Sequence, residues 1–594
     1  MTILRNEYPR PEFVRQDWLT LNGEWLFEFD DRNCGLVEDW INKQRNFTKK
    51  IIVPFSFQSK LSGIGDPAIH RVIWYRREFE VPSAWLGRQI KLNFGAVDYF
   101  TSVWVNGKFI GANQGGYVPF SFDITDYLIK GENQLVIRIF DDETPNHPRG
   151  KQTAKKETWA CWYTRVSGIW QSVWLEPVAK NHLKTIKILP DLDQGEVAIR
   201  FQLSNCTENT RIQFKVLFKG EKVSEAETSI NREFGYFADS VSMPEQVFKL
   251  TIPDIQPWSP ENPNLYDLEI RIKEAEQAVD EVRTYFGMRK ISVERGRICL
   301  NNKPYYLRMV LDQGIWNDGL YTPNSINELK KDVEMTKAFG FNGARKHQKI
   351  EDPYYYYFCD KLGLLVWSEM PSCYGFDETM IQSSTAEWQR AINRDYSHPC
   401  IMAWVPVNES WGVVQLLNSV NSEVYRRVVA YLETMYHLTK SLDDSRLAIS
   451  NDGWQHAATD VITIHDYSQD AEELAGNYGH FKEDRHAASF LAGLPIILPG
   501  YEYQGQPIMI SEFGGVKVIE QGSFGWGYGD AASTYPEMGE RIQKLIRTIQ
   551  TEAEICGYCY TQLTDTEQEV NGLMNAQRVP KLATNKFAEI FSAK

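Results

Sequence analysis

The sequence predicts a multidomain protein in which two β-sandwiches precede a C-terminal (β/α)8 TIM barrel. Three observations carry this reading. The 594 residues exceed what one hydrophobic core organises. The first half alternates apolar and polar residues with the period of two of half-buried strands. After Met288-Arg289, strand-like runs alternate with helical ones, as a parallel sheet requires.

The first sandwich spans residues 1–177. Its short alternating segments include Trp74 to Phe79, Ile90 to Phe94 and Ser102 to Val105, and Asn106-Gly107 after the last is a strong hairpin turn. The second spans 178–289, with Ile199 to Leu203, Ile212 to Val216 and Leu265 to Ile270 as strands and Pro257 to Pro260 as a corner. Its length suits an immunoglobulin-like β-sandwich.

Residues 290–594 hold eight strand candidates, the number that closes a barrel: Tyr305–Val310, Phe341–Ala344, Leu364–Ser368, Ile401–Val407, Leu447–Ser450, Val461–Ile464, Ile508–Ser511 and Gly557–Thr561. Ser325 to Glu328 reads as a capping box opening a helix that stops at Gly340. The fifth connection is too short to demand a helix. The seventh, Gly514 to Thr534, is long, Gly-rich and aromatic, as loops over a site often are.

Composition excludes several function classes. A net charge of −14 without a basic stripe argues against nucleic acid. No apolar run is long enough to cross a bilayer. The start, MTILRNEYPRPEF, lacks the apolar segment of a signal peptide, so a cytoplasmic protein is expected. Nine irregularly spaced cysteines read as reduced thiols; Cys556 and Cys559 form the one CxxC, inside an apolar run that reads as a strand rather than a redox or zinc motif. No cofactor or metal is called for, and a homo-oligomer is compatible with all of this. The 18 Trp and 29 Tyr favour carbohydrate, whose C–H faces pack on aromatic rings, although larger cores also account for aromatic residues.

Catalysis in such barrels sits at the C-terminal strand ends. There the chain places Arg345-Lys-His347, Glu369, Asn408-Glu409, Asn451-Asp452, His465-Asp-Tyr467, Glu512, and Gln562 with Asp565 beyond. Strand-end glutamates are surface residues in most proteins. Here Glu409 and Glu512, ending strands four and seven, face each other across the mouth, the arrangement glycosidic cleavage needs. One carboxyl protonates the leaving oxygen and the other attacks the anomeric carbon; retaining enzymes hold them about 5–5.5 Å apart. The charge of one is expected to raise the pKa of the other, keeping the acid protonated.

At these residues the chain resembles glycoside hydrolase family 2, the β-galactosidases, β-glucuronidases and β-mannosidases. The likeness runs nearly end to end: Leu21-Asn-Gly-Glu-Trp25, Val105-Asn-Gly107, Ser167-Gly-Ile-Trp170, Phe286-Gly-Met-Arg289, Asn342-Gly-Ala-Arg345 with His347, His398-Pro399 leading to Trp404-Val-Pro-Val-Asn-Glu-Ser410, and Ser511-Glu-Phe-Gly514. The resemblance implies a jelly-roll sugar-binding domain, an immunoglobulin-like domain and a catalytic barrel. It implies Glu409 as acid/base, Glu512 as nucleophile, Asn408 on the sugar 2-hydroxyl, Tyr467 bonded to the nucleophile and Arg345 holding it ionised. His347, Asp312, Glu369, Asn451, Asp452 and His465 are candidates for substrate binding or for the network beneath it, and Trp526 and Tyr528 for a sugar-facing wall or for packing of the seventh loop.

The chain departs from the family pattern at three places. Trp162 stands where the β-galactosidases carry a first-domain Asp, Asp312-Gln313 stands for Arg-His after strand one, and Asn571 is followed by Gly572-Leu573 rather than by the x-Lys of many β-glucuronidases. The expected activity is an exo-acting retaining β-glycosidase, β-galactosidase-like. A β-uronidase is the alternative, for which Arg345, Lys346 and Lys349 offer cations, although strand alternation turns Lys346 aside. A non-catalytic carbohydrate-binding protein is the alternative of another class, and the presence of both glutamates argues against it.

Overall fold

The structure, a computed structural model, describes residues 3–43, 46–230, 245–418, 420, 422–487, 493, 495–519 and 524–592. The first sandwich packs a six-stranded sheet on a four-stranded one. Strands Val72–Glu80, Phe100–Val105 and Glu132–Phe140 form the middle of the larger sheet; Gln89–Phe94 and Val173–Val178 pair in the smaller. The inward positions Trp25, Phe27, Tyr75, Leu92, Val103 and Ile137 are buried between them, as the alternation requires. Asn106 and Gly107 turn the hairpin from Phe100–Val105 to Lys108–Gln114, both at positive φ (50° and 75°), which a mirror-image turn demands.

Among the described residues the second sandwich has seven strands. Leu183–Asp191, Glu196–Leu203 and Gln246–Thr251 face Thr210–Phe218, Glu221–Ser229, Tyr266–Glu274 and Gln277–Phe286, the count and layering of an immunoglobulin-like domain. In the corner after them Trp258 is fully buried, its indole N–H donating to the Asp360 carbonyl of the barrel at 2.8 Å.

All eight expected barrel strands form one parallel sheet: Leu307–Asp312, Gly343–Lys346, Leu365–Glu369, Ile401–Val405, Leu447–Ala448, Ile462–Asp466, Ile508–Gly514 and Ile555–Thr561. Between strands five and six no ladder forms among the described residues. The seam is closed instead by Asp460, whose N–H donates to the Ala448 carbonyl (2.9 Å) and whose carboxylate accepts from the Ala448 N–H (2.9 Å), and by Gly453 N–H on the Thr463 hydroxyl (2.7 Å). The fifth connection carries no helix. The first helix, Ile326–Ala338, starts after Ser325 without its hydroxyl capping, and Glu328 accepts from the Asn324 N–H (3.1 Å) rather than from that of Ser325, so the expected capping box does not form. Cys556 and Cys559 lie buried and unpaired on strand eight, their thiols pushed up by burial. Among the described residues no helix is long and apolar enough to cross a membrane.

The N-terminal segment touches all three domains. Arg5 pairs with Asp352 of the barrel (2.7 Å), Arg10 with Glu176 of the first sandwich (2.8 Å) and Arg15 with Asp280 of the second (2.9 Å).

Candidate active site

Glu512 lies near the C-terminal end of strand seven and is 4% exposed. Arg345, from strand two and fully buried, donates to it at 2.7 Å, and the Tyr467 hydroxyl donates to its other oxygen. The same guanidinium binds Glu369, the Asn408 side-chain oxygen (2.6 Å), Asp452 (2.9 Å) and the Ser511 carbonyl (3.0 Å). One rigid fork therefore fixes strands three, four, five and seven relative to one another. Burial alone would push the Glu512 carboxyl up, but His465 and then Arg345 outweigh it and hold the group below its usual range. Glu512 is thus an anion in a dry site. Tyr467 is fixed by stacking on Tyr528, ring centroids 3.5 Å apart.

Glu409 follows strand four in a backbone that goes left-handed at two successive residues, Glu409 (φ 52°) and Ser410 (φ 50°). Such a conformation costs roughly 1–2 kcal/mol per residue and persists only where the surroundings over-determine it. They do here: Asn451 accepts from the Ser410 N–H (2.8 Å) and donates to its hydroxyl (2.7 Å), and the Glu409 N–H donates to the Asp452 carbonyl (3.0 Å). The carboxylate takes the Trp411 indole N–H at 2.9 Å on one oxygen and His465 Nδ1 at 2.7 Å on the other.

His465 joins the two carboxylates. Its Nε2 lies 3.3 Å from Asp452 and 3.6 Å from Glu512, and oxygens of Glu409 and Glu512 and a nitrogen of His465 all fall within 4.8 Å of one another. Gly453, at φ +83°, leaves room for this ring, because a Cβ there would overlap it. Burial disfavours a charged imidazole, yet Glu512, Asp452 and Glu409 together push its pKa up to about 10. His465 is therefore an imidazolium at neutral pH. This corrects the expectation for Glu409. Burial raises its carboxyl, but the hydrogen bond and charge of His465, then Lys151 and Arg345, hold it below the usual range. The two shifts run in opposite directions, Glu409 down and His465 up, as in an ion pair across their 2.7 Å hydrogen bond.

The remaining expected residues divide. Glu369 grips Arg345 and His347 (2.8 Å) from behind and is raised to about 7 by burial; His347 is kept neutral by burial beside Lys151 and Arg345. Asn408 also approaches Glu409, at 3.4 Å. Three residues are engaged elsewhere. Asp312 pairs with Lys346 (2.8 Å), Asn451 braces the Glu409 turn, and the Trp526 ring packs edge-on against Tyr528 (centroids 5.1 Å) while its backbone pairs with the loop after strand eight. The cations offered for a uronate are likewise occupied: Lys346 by Asp312 and Glu351, Lys349 by Glu351 and two carbonyls, Arg345 by three carboxylates.

Several mouth residues carry no sequence signal. Trp411 stacks with Trp162 (4.9 Å) and Trp162 with Trp159 (4.3 Å), a ladder reaching from Glu409 to a half-exposed indole. Two of its rungs come from the first domain. That domain's loop is docked on the barrel by Gln568, which donates to the carbonyls of Ala160 (2.7 Å) and Trp162 (3.1 Å), and by Glu567 on the Thr164 N–H (3.0 Å). It brings buried Lys151 over the Trp411 ring at 4.5 Å and the Tyr163 hydroxyl onto Glu569. The sequence had one pointer to this wall, Trp162 in place of an Asp.

Comparison with known proteins follows the same order of domains. Residues 19–177 match the sugar binding domain of glycosyl hydrolases family 2, residues 181–289 the family's second domain, and residues 291–593 its TIM barrel domain. A putative beta-glucuronidase of Formosa agariphila is 27% identical over 461 residues, covering 74% of this chain and 51% of that protein. A beta-galactosidase of Thermoanaerobacter pseudethanolicus is 27% identical over 408 residues, covering 66% and 52%. The chain spans about half the length of these curated relatives. A solved β-glucuronidase from Ruminococcus gnavus, in complex with uronic deoxynojirimycin, superposes with a TM-score of 0.78 over 98% of both chains at 19% identity, a likeness of fold. With three consecutive domains matched and the barrel match alone covering more than half of its 594 residues, the chain belongs to glycosyl hydrolases family 2.

Proposed function

We propose that the chain is an exo-acting retaining β-glycosidase working by double displacement. The observation that carries this is the approach of Glu409 and Glu512, with oxygens within 4.8 Å across His465. That is the closeness of a nucleophile and an acid/base, about 5–5.5 Å between carboxyls; inverting enzymes leave about 6.5–9.5 Å for a water. Glu512, ionised and aimed by Arg345 and Tyr467, attacks the anomeric carbon. Glu409 delivers a proton to the leaving oxygen, drawing it along the 2.7 Å hydrogen bond from His465. Water then attacks the glycosyl-enzyme and loses its proton to Glu409. Exo-action is what the family resemblance implies, and the first-domain loop docked beside the mouth through Gln568 and Glu567 is compatible with it. A non-catalytic binder has no use for buried carboxylates held around one imidazolium, since removing charges from water is unfavourable.

The test joins chemistry and stereochemistry. Glu512→Gln is expected to keep the fold and lose at least about three orders of magnitude in turnover, and NMR of the first-formed sugar from a β-glycoside is expected to show the β-anomer. Near-wild-type turnover of the variant, or initial α product, overturns the reading.

A further inference from the structure

The proposed reaction engages two carboxylates, and the mouth holds a third together with an ammonium. Lys151 is 7% exposed. Among the described residues its ammonium has no ion pair, and no carboxylate or carbonyl accepts a hydrogen bond from it. It lies over the Trp411 ring, whose N–H binds Glu409, and beside the Cys161 thiol; Glu569, Glu409 and Glu512 are its next electrostatic neighbours. The buried cations nearby, Arg345, Lys346 and Lys349, all touch carboxylates. A buried charge without such a partner is unfavourable unless something else satisfies it.

Glu569, 2% exposed, sits in the loop after strand eight. One oxygen accepts from the Asn571 amide at 2.9 Å and the other from the Tyr163 hydroxyl, so each keeps a lone pair. The backbone brings this acceptor and the ammonium together, because the Tyr163 N–H donates to the Lys151 carbonyl at 2.9 Å while the Tyr163 side chain ends on Glu569.

We propose that Lys151 and Glu569 form the glycone-reading pair of this site, selecting a neutral sugar and excluding uronates. The proposal rests on the retaining β-glycosidase reading. A sugar hydroxyl both accepts and donates, so neighbouring hydroxyls satisfy the ammonium and the carboxylate together. A uronate carboxylate only accepts. It would satisfy Lys151 and face Glu569, with Glu409 and Glu512 near the same ammonium, and like charges in a dry pocket repel strongly. The choice departs from the glucuronidase names of the solved structures with similar folds and comes from the charges that line this mouth.

The experiment compares nitrophenyl β-galactoside, glucoside, mannoside and fucoside with the β-glucuronide and β-galacturonide, on wild type, Glu569→Gln and Lys151→Met. Wild type is expected to favour its best neutral substrate over either uronide by at least about 100-fold in kcat/KM, a floor below the roughly 10⁴- to 10⁵-fold that unpaired buried polar groups can impose. Glu569→Gln is expected to narrow that ratio at least about tenfold by removing the repelling charge. Lys151→Met is expected to cost the neutral substrate about tenfold or more, chiefly in KM, with Lys151→Arg recovering part of it. Wild-type preference for a uronide, or variants that lower both classes by the same factor, overturns the pair. Absence of turnover on every β-glycoside is the separate outcome that fails the reaction and the pair with it.

Discussion

Tyr467→Phe isolates one contact to the nucleophile. The hydroxyl donates to Glu512, and the ring is held by its stack on Tyr528, so phenylalanine keeps the packing and removes one donor. A hydrogen bond to a charged group contributes about 1.5–3 kcal/mol. At 1.36 kcal/mol per decade this is a loss of about 10- to 150-fold. Arg345 still holds the other oxygen at 2.7 Å and the His465 charge stays 3.6 Å away, so the lower end is expected. The same loss has a titration signature. Removing a donor to the charged form raises the Glu512 pKa, and an interaction of about 1.5 kcal/mol corresponds to about one pH unit. The assay is kcat/KM against pH on the best β-glycoside, with circular dichroism to check the fold. The expected result is about a tenfold loss and an acid limb displaced upward by about one unit. A limb that stays in place with kcat/KM within about twofold of wild type refutes the assignment of Tyr467 to the nucleophile.

Glu409→Ala is expected to form the glycosyl-enzyme readily from a dinitrophenyl substrate, to break it down slowly with a burst, and to be rescued by azide with β-glycosyl azide as product; an α-azide would exchange the roles of the two glutamates. His465 gives a stability test. Its folded pKa, about 10, lies above the unfolded value of about 6.5, so its stabilising contribution is fully present below about pH 6.5 and is lost as pH rises through 10. The thermal midpoint of wild type is expected to fall over that window and that of His465→Asn to fall less; parallel profiles would show that the imidazolium is not held as described.

Much of the fold was legible because the signals are periodic and local. Alternation located both sandwiches, and the eight apolar runs became the eight barrel strands within a few residues at each end. The strand-end polar residues were legible for the same reason, since a barrel's topology converts position along a strand into position at the mouth. What a side chain does at the mouth was not. Asp312 and Asn451 sit where strand-end logic puts them, yet one neutralises Lys346 and the other braces a left-handed turn, choices made by neighbours far away in sequence. The acid's protonation was misjudged for a similar reason. Pairing two carboxylates predicts a raised pKa, and an imidazolium inserted between them reverses the sign. Lys151, Trp411 and Glu569 lie on three loops with no motif and meet only when the first domain docks on the barrel.

The segment carrying Arg5, Arg10 and Arg15 has a consequence for how the chain is made. Each arginine is tied to a carboxylate synthesised much later: Glu176, Asp280 and, last, Asp352. Domains fold in turn during synthesis, so Arg5, Arg10 and Arg15 take their final places only after the carboxylates that follow them have been made. Until the barrel emerges, Arg5 holds to Glu7 and, through its carbonyl, to the Asn22 amide, and its ion pair with Asp352 has to wait.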